Sequence, residues 1–316
     1  MSKRKWVWLG VGLGTFVCLV IPLGCLGISA LSWSSGGDSG RMWEDAVAVV
    51  RIEGVIVSGR EPDLFVSSSG NAYSESIIQL LERAETDPSV KAVVLRVNSP
   101  GGGIVASDEI YQALLEVEKP VVVSMGETAA SGGYYVSCAA DEILANPVTL
   151  TGSIGAISTV PNFEELLDKV GIEMLVFKSG PMKDELSPYR QPTEEEIAHW
   201  QEITDEAYET FLAIVAEQRE LDSDKAREIA DGRVYTGQQA LELGLVDRLG
   251  NLSDAIDRAA ELGGIEGEPR LIESQRAPSL MEMFLGAFRP FPSSLTIDDL
   301  LGIDRRFTVY YLYSAP

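Results

Sequence analysis

The sequence predicts an α/β fold of stacked βα units, and three observations predict it. Short, β-branched apolar runs recur at residues 47–57, 92–97 and 121–125 and read as buried strands. Helical periodicity fills the intervals, near residues 74–84 and 107–117. The resulting rhythm of strand, helix, strand, helix argues for parallel βα units and against an antiparallel sandwich. With 316 residues, 45% of them hydrophobic, the chain can bury one large core and still carry an extension.

The first element is apolar throughout. Residues 3–5 are Lys, Arg and Lys, and residues 6–33 carry no charge. That run exceeds the roughly 20 residues a helix needs to cross a bilayer, and Trp6 and Trp33 stand at its ends as interfacial anchors do. A retained anchor is expected over a cleaved signal. Pro22 occupies the place where a lipoprotein cleavage box ahead of Cys25 wants an aliphatic residue. Positive residues stay cytoplasmic, so residues 1–33 read as a basic tip and single-pass anchor in the cell membrane, with the rest extracytoplasmic. Residues 34–45 are a polar, Gly/Ser-rich tether. Residues 46–262 form the expected folded domain, and 263–316 an extension that packs on this or a neighbouring subunit.

Charge and cysteine usage exclude several classes. A net charge of −23 repels phosphates and argues against nucleic acid as a partner. Cys18 and Cys25 fall in the apolar segment, which leaves Cys138 alone in the domain, where it is expected to pack as a small hydrophobe. One histidine and one such cysteine offer no closed ligand set, so no metal or cofactor is expected.

Within the domain, the first apolar run is broken at Glu53-Gly54, which suggests a bend or bulge. The strand at residues 92–97 runs directly into NSPGGG, residues 98–103. Three glycines between a strand and a helix are costly unless backbone must approach something closely. A phosphate cradle would want the lysine and hydroxyl of a P-loop, which Ile104-Val105-Ala106 does not supply. Backbone N–H groups of this turn suit half of an oxyanion hole, with the N–H of Gly132 as the other half.

The strand at 121–125 is followed by a polar step, Gly126-Glu127-Thr128, and then by AASGGYY, residues 129–135. Ser131 therefore falls at a strand-to-helix turn among small neighbours. Such a turn can expose the hydroxyl, and the free N–H groups of the new helix can hold an oxyanion beside it. A plainer reading makes Ser131 a helix N-cap in a glycine-rich turn. A census of bases decides between them. The lone histidine, His199, lies in a long acidic helix over residues 193–220 and reads as a solvated surface residue, so a Ser-His-Asp triad has nothing to draw on. A desolvated lysine can serve instead. Lys178 and Lys183, in KSGPMKD (residues 178–184), are the candidates, and spacing alone does not choose between them.

Further strands are expected at 141–146, 150–157 and 173–177, and helices at 162–170, 225–230, 238–243 and 252–262. Ser153, between two glycines in TGSIG (residues 151–155), is either a small residue in a crowded strand or a hydrogen-bond partner for the lysine. The helix at 193–220 places Ile197, Trp200, Ile203, Ala207, Phe211, Ile214 and Val215 on one stripe, read as core or interface. Beyond residue 263 the periodicity fades, leaving apolar patches at 280–291 and 307–312.

Taken together, NSPGGG, ETAASGGYY, TGSIG, KSGPMKD and GRVYTGQQALELGLVD, in that order between residues 46 and 262, resemble the signal peptide peptidase A family of membrane-anchored serine proteases. The resemblance implies a Clp-protease/crotonase-like core of repeated ββα units. It implies Ser131 as nucleophile and Lys183 as general base, with Ser153 orienting the lysine and the N–H groups of Gly102 and Gly132 forming the oxyanion hole. It implies peptide substrates, remnant signal peptides among them, and a homo-oligomeric ring. The dyad is complete within one such domain, and the chain carries no second repeat. Three rival expectations share the architecture: a membrane protease serving a stomatin-like partner, an acyl-CoA enzyme of crotonase type, and a non-catalytic scaffold. The acidic balance disfavours the CoA reading.

Overall fold

The computed structural model describes residues 44–61 and 70–273, together with the backbone of residues 310–312. The expected membrane anchor and all of the expected tether but residues 44–45 lie outside the described residues, and among these no helix is long and apolar enough to cross a membrane.

Strands β1 (Ala46–Glu53), β4 (Val90–Ser99), β6 (Val121–Ala130), β7 (Glu142–Ala145), β10 (Arg248–Leu249) and β11 (Arg270–Glu273) make a sheet in the order β10-β7-β6-β4-β1-β11. Every pairing along that path is parallel. Parallel strands with both faces covered read as continuous apolar runs, and β1 shows why. Val47 and Val49 join Ala92, Val94 and Val122 in a small core under helix α8 (Leu252–Leu262). Ala48, Val50 and Ile52 point the other way, into the main core.

A second, smaller sheet is built from the short strands β2 (Ile56–Val57), β3 (Ala72–Tyr73) and β5 (Gly101–Gly103), with β12 (Tyr310–Leu312) on β5. The chain leaves β1 for this sheet at Gly54, whose φ of +82° and contact with Gly70 admit no side chain: a Cβ there would lie 1.6 Å from the Gly70 carbonyl oxygen. The interruption at Glu53-Gly54 is thus a change of sheet. Helix α1 (Ser74–Thr86) follows β3 and α2 (Ile104–Leu115) follows β5. A long strand, short strand and helix succeed one another as β1-β2-β3-α1, with two short strands, and again as β4-β5-α2, with one, which gives the mixed α/β, parallel-rich core expected of a Clp-protease-like fold.

Strand β6 is longer than its apolar start. The polar step Gly126-Glu127-Thr128 stays in the strand because β6 changes neighbours there: Val122–Ser124 pair with β7, and Thr128–Ala130 pair with β8 (Leu150–Gly152). Strand β8 pairs in turn with the antiparallel β9 (Val234–Thr236). Helix α3 (Gly132–Ser137) begins immediately after β6.

The later helices are α4 (Glu164–Val170), α5 (Glu194–Gln218), α6 (Ser223–Ile229) and α7 (Gly237–Leu243). Thr193 and Thr236 cap α5 and α7, each in a reciprocal capping box with Glu196 or Gln239. Two expectations fail here. Residues 173–177 are not a strand: among the described residues they pair with no other strand, and Leu175 and Phe177 are 72% and 95% exposed. A β-prone run forms a strand only where an edge receives it. The stripe on α5 is core only at its C-terminal end, where Phe211, Leu212 and Val215 are buried, whereas Ile197 is exposed. From residue 155 to residue 195 no residue is buried, and this segment carries both candidate lysines.

Candidate active site

Strand β6 delivers Ser131 to the start of α3 in a backbone conformation that L-residues rarely adopt, φ +53° and ψ −119°. Such strain costs of order 1–3 kcal/mol and persists only where the surroundings enforce it. Two backbone bonds enforce it here. The Ser131 N–H donates to the Gly152 carbonyl at 2.8 Å, and its own carbonyl accepts the Tyr135 N–H at 2.8 Å. Below, Tyr134 and Tyr135 are buried. Tyr134 donates its hydroxyl to the Leu245 carbonyl and Tyr135 to Asp108 Oδ1, both at 2.8 Å. Ser131 stands at the N-cap position, yet its side chain makes no capping bond. The plain capping reading therefore gives no account of the hydroxyl.

Gly101–Gly103 is a short strand where the sequence suggests a turn. Its close approach is real. A Cβ on Gly102 would lie 1.9 Å from the Ile56 carbonyl oxygen, since β2 pairs with β5 at this register. Gly101 takes φ +99° and donates its N–H to Ser99 Oγ at 3.0 Å. Gly132 lies directly against this strand: a Cβ on it would sit 3.1 Å from the Gly102 nitrogen and 2.6 Å from Ser107 Oγ. Gly102, Ser131 and Gly132 are thus gathered at one point, and two backbone N–H groups there can serve a developing oxyanion.

Ser153 directly follows Gly152, the acceptor of the Ser131 N–H. It too has positive φ, +49°, with its N–H held by the Arg233 carbonyl at 2.8 Å. Strands β8 and β9 therefore fix Ser153 beside the β6–α3 junction.

The lysines stand on a segment of their own. Lys183 sits in a 3-10 turn, Pro181–Asp184, with no buried residue, and no hydrogen bond joins it to Ser131 or Ser153 among the described residues. The two candidates differ in their commitments. Lys178 Nζ donates to Asp184 Oδ1 at 2.6 Å and to the Pro181 carbonyl at 2.8 Å, whereas Lys183 forms no ion pair among the described residues. Arg190 binds Asp184 and Glu196 together and, with Lys178, holds the Asp184 carboxyl well below the usual carboxylate range. His199 is half exposed, with Nδ1 2.9 Å from Glu185 Oε1, as a surface histidine would be. Cys138 is buried and free, and burial pushes its thiol up to about 12.

Comparison with known proteins bears on this arrangement. Residues 113–266 match the model of peptidase family S49, and residues 58–148 that of Clp protease. A putative signal peptide peptidase SppA of Enterococcus faecium is 36% identical over 278 residues, covering 81% of this chain and 80% of that protein. The chain belongs to peptidase family S49. It is a serine protease by that membership.

Two further relatives of this S49 peptidase are longer. Protease 4 of Haemophilus influenzae is 39% identical over 225 residues, 68% of this chain and 34% of that protein. The chloroplastic serine protease SPPA of Arabidopsis thaliana is 35% identical over 237 residues, 74% of this chain and 34% of that protein. The chain thus spans about a third of each.

Sequence reasoning about the S49 peptidase missed three contributors. Ser99 and Ser107 brace the glycine strand, Ser107 by donating to the Gly103 carbonyl at 2.9 Å. Ser107 lies four residues after Gly103, the spacing at which a helix hydroxyl returns to a backbone carbonyl, so that signal was present. The third is β12, which pairs antiparallel with the glycine strand β5.

Proposed function

We propose that this S49 peptidase is a membrane-anchored endopeptidase that degrades remnant signal peptides and other membrane-associated peptides through a Ser131–Lys183 dyad. The observation that carries the reading is the convergence of Ser131, strained and free of any capping role, with the backbone of Gly102 and Gly132. A substrate binds extended along β5, where the absence of side chains admits its backbone. Ser131 Oγ attacks the scissile carbonyl while Lys183 Nζ takes its proton. The oxyanion rests on the N–H groups of Gly102 and Gly132, each contributing about 3 kcal/mol to the transition state. Lys183 then returns the proton to the leaving amine, and water releases the acyl group from Ser131.

Lys183 rather than Lys178 is the base because Lys178 is tied to Asp184. The base must come out of water to act, and the segment that carries it has an uncovered apolar face, with Leu175, Val176 and Phe177 exposed. Assembly into a homo-oligomeric ring covers that face and packs the segment over the Ser131 cleft. The apolar residues 6–33 anchor the chain with the protease domain on the extracytoplasmic side, where cleaved signal peptides are released into the same bilayer.

The test is hydrolysis of a fluorogenic peptide panel, signal-peptide h-region sequences included, by the full chain in detergent beside Ser131→Ala, Lys183→Ala and Lys178→Ala. The reading expects activity to vanish in the first two and persist in the third. Hydrolysis that survives Ser131→Ala overturns it.

A further inference from the structure

Lys183 is exposed and its turn holds no buried residue, yet the two residues that follow it are firmly held. Arg190 grips Asp184 with a fork: Nε donates to Oδ2 at 3.0 Å and Nη2 to Oδ1 at 2.8 Å. Nη2 also donates to the Asp184 carbonyl at 3.0 Å. The same guanidinium reaches Glu196 in the first turn of α5, through Nη1 to Oε2 at 2.8 Å and through Nη2 to Oε1. Glu196 is buried and is locked in its capping box with Thr193. Glu185 is bound to the same helix. It accepts the Trp200 Nε1–H on Oε2 at 3.2 Å, and His199 Nδ1 lies 2.9 Å from Oε1. Leu186 then takes φ +55°, a conformation that persists only where its surroundings enforce it.

We propose that Arg190 is a positioning residue for the general base: by bridging Asp184 to Glu196 it fixes the Lys183 turn on the start of α5 and so sets where the Lys183 amine stands. This rests on the reading of Ser131 and Lys183 as a dyad and adds the group that orients the base. A general base must lie within about 3 Å of the proton it takes, and a misplacement of about 1 Å can cost on the order of 100-fold in rate. An exposed lysine has no packing of its own to supply that precision, so its backbone must arrive already placed. A guanidinium suits the task because its planar fork binds two carboxylates at fixed angles, whereas an ammonium is a point charge without that geometry. The buried charge of Glu196 in turn keeps the guanidinium where it is, since either group left alone would be costly. Lys178 adds nothing the bridge requires: it donates to Asp184 Oδ1, an oxygen that Arg190 Nη2 already holds.

The experiment uses the full chain in detergent and two variants, Arg190→Lys and Asp184→Ala, each made in the parent and in Lys183→Ala. Arg190→Lys keeps a positive charge beside Glu196 and loses the fork. Asp184→Ala leaves the Arg190–Glu196 pair whole and so breaks the bridge without stranding a buried charge. Hydrolysis of a fluorogenic peptide and the rate of Ser131 modification by a fluorophosphonate are the readouts. In the parent background the proposal expects kcat and the labelling rate to fall about tenfold or more in both variants, with KM within about twofold of the parent's. In the Lys183→Ala background it expects neither change to slow the residual labelling further, because a positioning residue acts only through the base it positions. Equal slowing in the two backgrounds means a role in general stability and overturns the proposal. Parental rates in Arg190→Lys and Asp184→Ala, beside slow labelling in Lys183→Ala, overturn it while the dyad stands. Labelling of Ser131 at the parental rate in Lys183→Ala removes the dyad reading itself, and the positioning role with it.

Discussion

The nitrogen of Gly102 lies 3.1 Å from the point where Gly132 would carry a Cβ. These residues are 30 positions apart, on the glycine strand β5 and at the first turn of α3; a side chain on Gly132 would crowd this approach, and one on Gly102 would strike the Ile56 backbone behind it. The relation makes two backbone donors neighbours of Ser131, and it can be tested directly. Gly132→Ala pushes a methyl group into Ser107 Oγ and the Gly102 nitrogen, so kcat is expected to fall on the order of 100-fold. Gly103→Ala is the control, because its nearest contacts would be at 3.8 Å. Parallel melting curves separate lost chemistry from lost fold, and a Gly132→Ala enzyme with parental kcat would remove the donors from the account.

Backbone strain at Ser131 gives a second expectation. Its φ of +53° with ψ of −119° is a combination that glycine adopts at least cost. Ser131→Gly and Ser131→Ala should both be inactive, but only the glycine variant sheds the strain. It is expected to be about 1 kcal/mol more stable than the alanine variant in denaturant titrations. Equal stabilities would mean that the surroundings do not hold Ser131 under strain.

The Arg190 cluster predicts an acid-sensitive segment. Hydrogen bonds from Arg190 lower the Glu196 carboxyl from 4.5 to about 2, and they lower Asp184 further still. A carboxyl depressed by folding contributes stability that is complete above its unfolded pKa and is lost as pH falls through its folded one. The melting temperature should therefore decline with acidification between about 4.5 and about 2. Arg190→Met should flatten that decline while lowering stability at pH 7, because it leaves the buried Glu196 without its partner. Differential scanning calorimetry across pH reads both, and an unaltered acid slope in Arg190→Met would contradict the assignment.

Cys138 should be silent in the native protein. Burial raises its thiol to about 12, so peptide mapping after brief alkylation at pH 8 should find it unmodified until denaturant is added. Labelling at native conditions would show that α3 opens readily.

Much of this was legible in the sequence, and the failures have physical causes. The strands β1, β4 and β6 and the helix Leu252–Leu262 follow from local pattern, because a parallel strand buried on both faces must be apolar along its length. The glycine runs announced a close approach, and the contacts at Gly102 and Gly132 supply it. What local pattern does not carry is the partner of an extended run. Residues 173–177 look like a strand and find no edge, whereas Tyr310–Leu312, in a stretch without periodicity, finds β5. Strand β11 was missed for the same reason: its place beside β1 is decided by the sheet and not by Arg270–Glu273 themselves. Lys183 is the converse case, a residue indicated by resemblance whose segment stays uncovered in the single chain.

The central claim is that Ser131 is a nucleophile activated by Lys183. The most direct measurement is labelling of the full chain with a fluorophosphonate, which reacts with activated serines, followed by mass spectrometry of the proteolysed adduct. The account predicts a single adduct on Ser131 in the parent and in Lys178→Ala, and at least a 100-fold slower reaction in Lys183→Ala. An adduct on another serine, or labelling of Ser131 at the parental rate without Lys183, would contradict it.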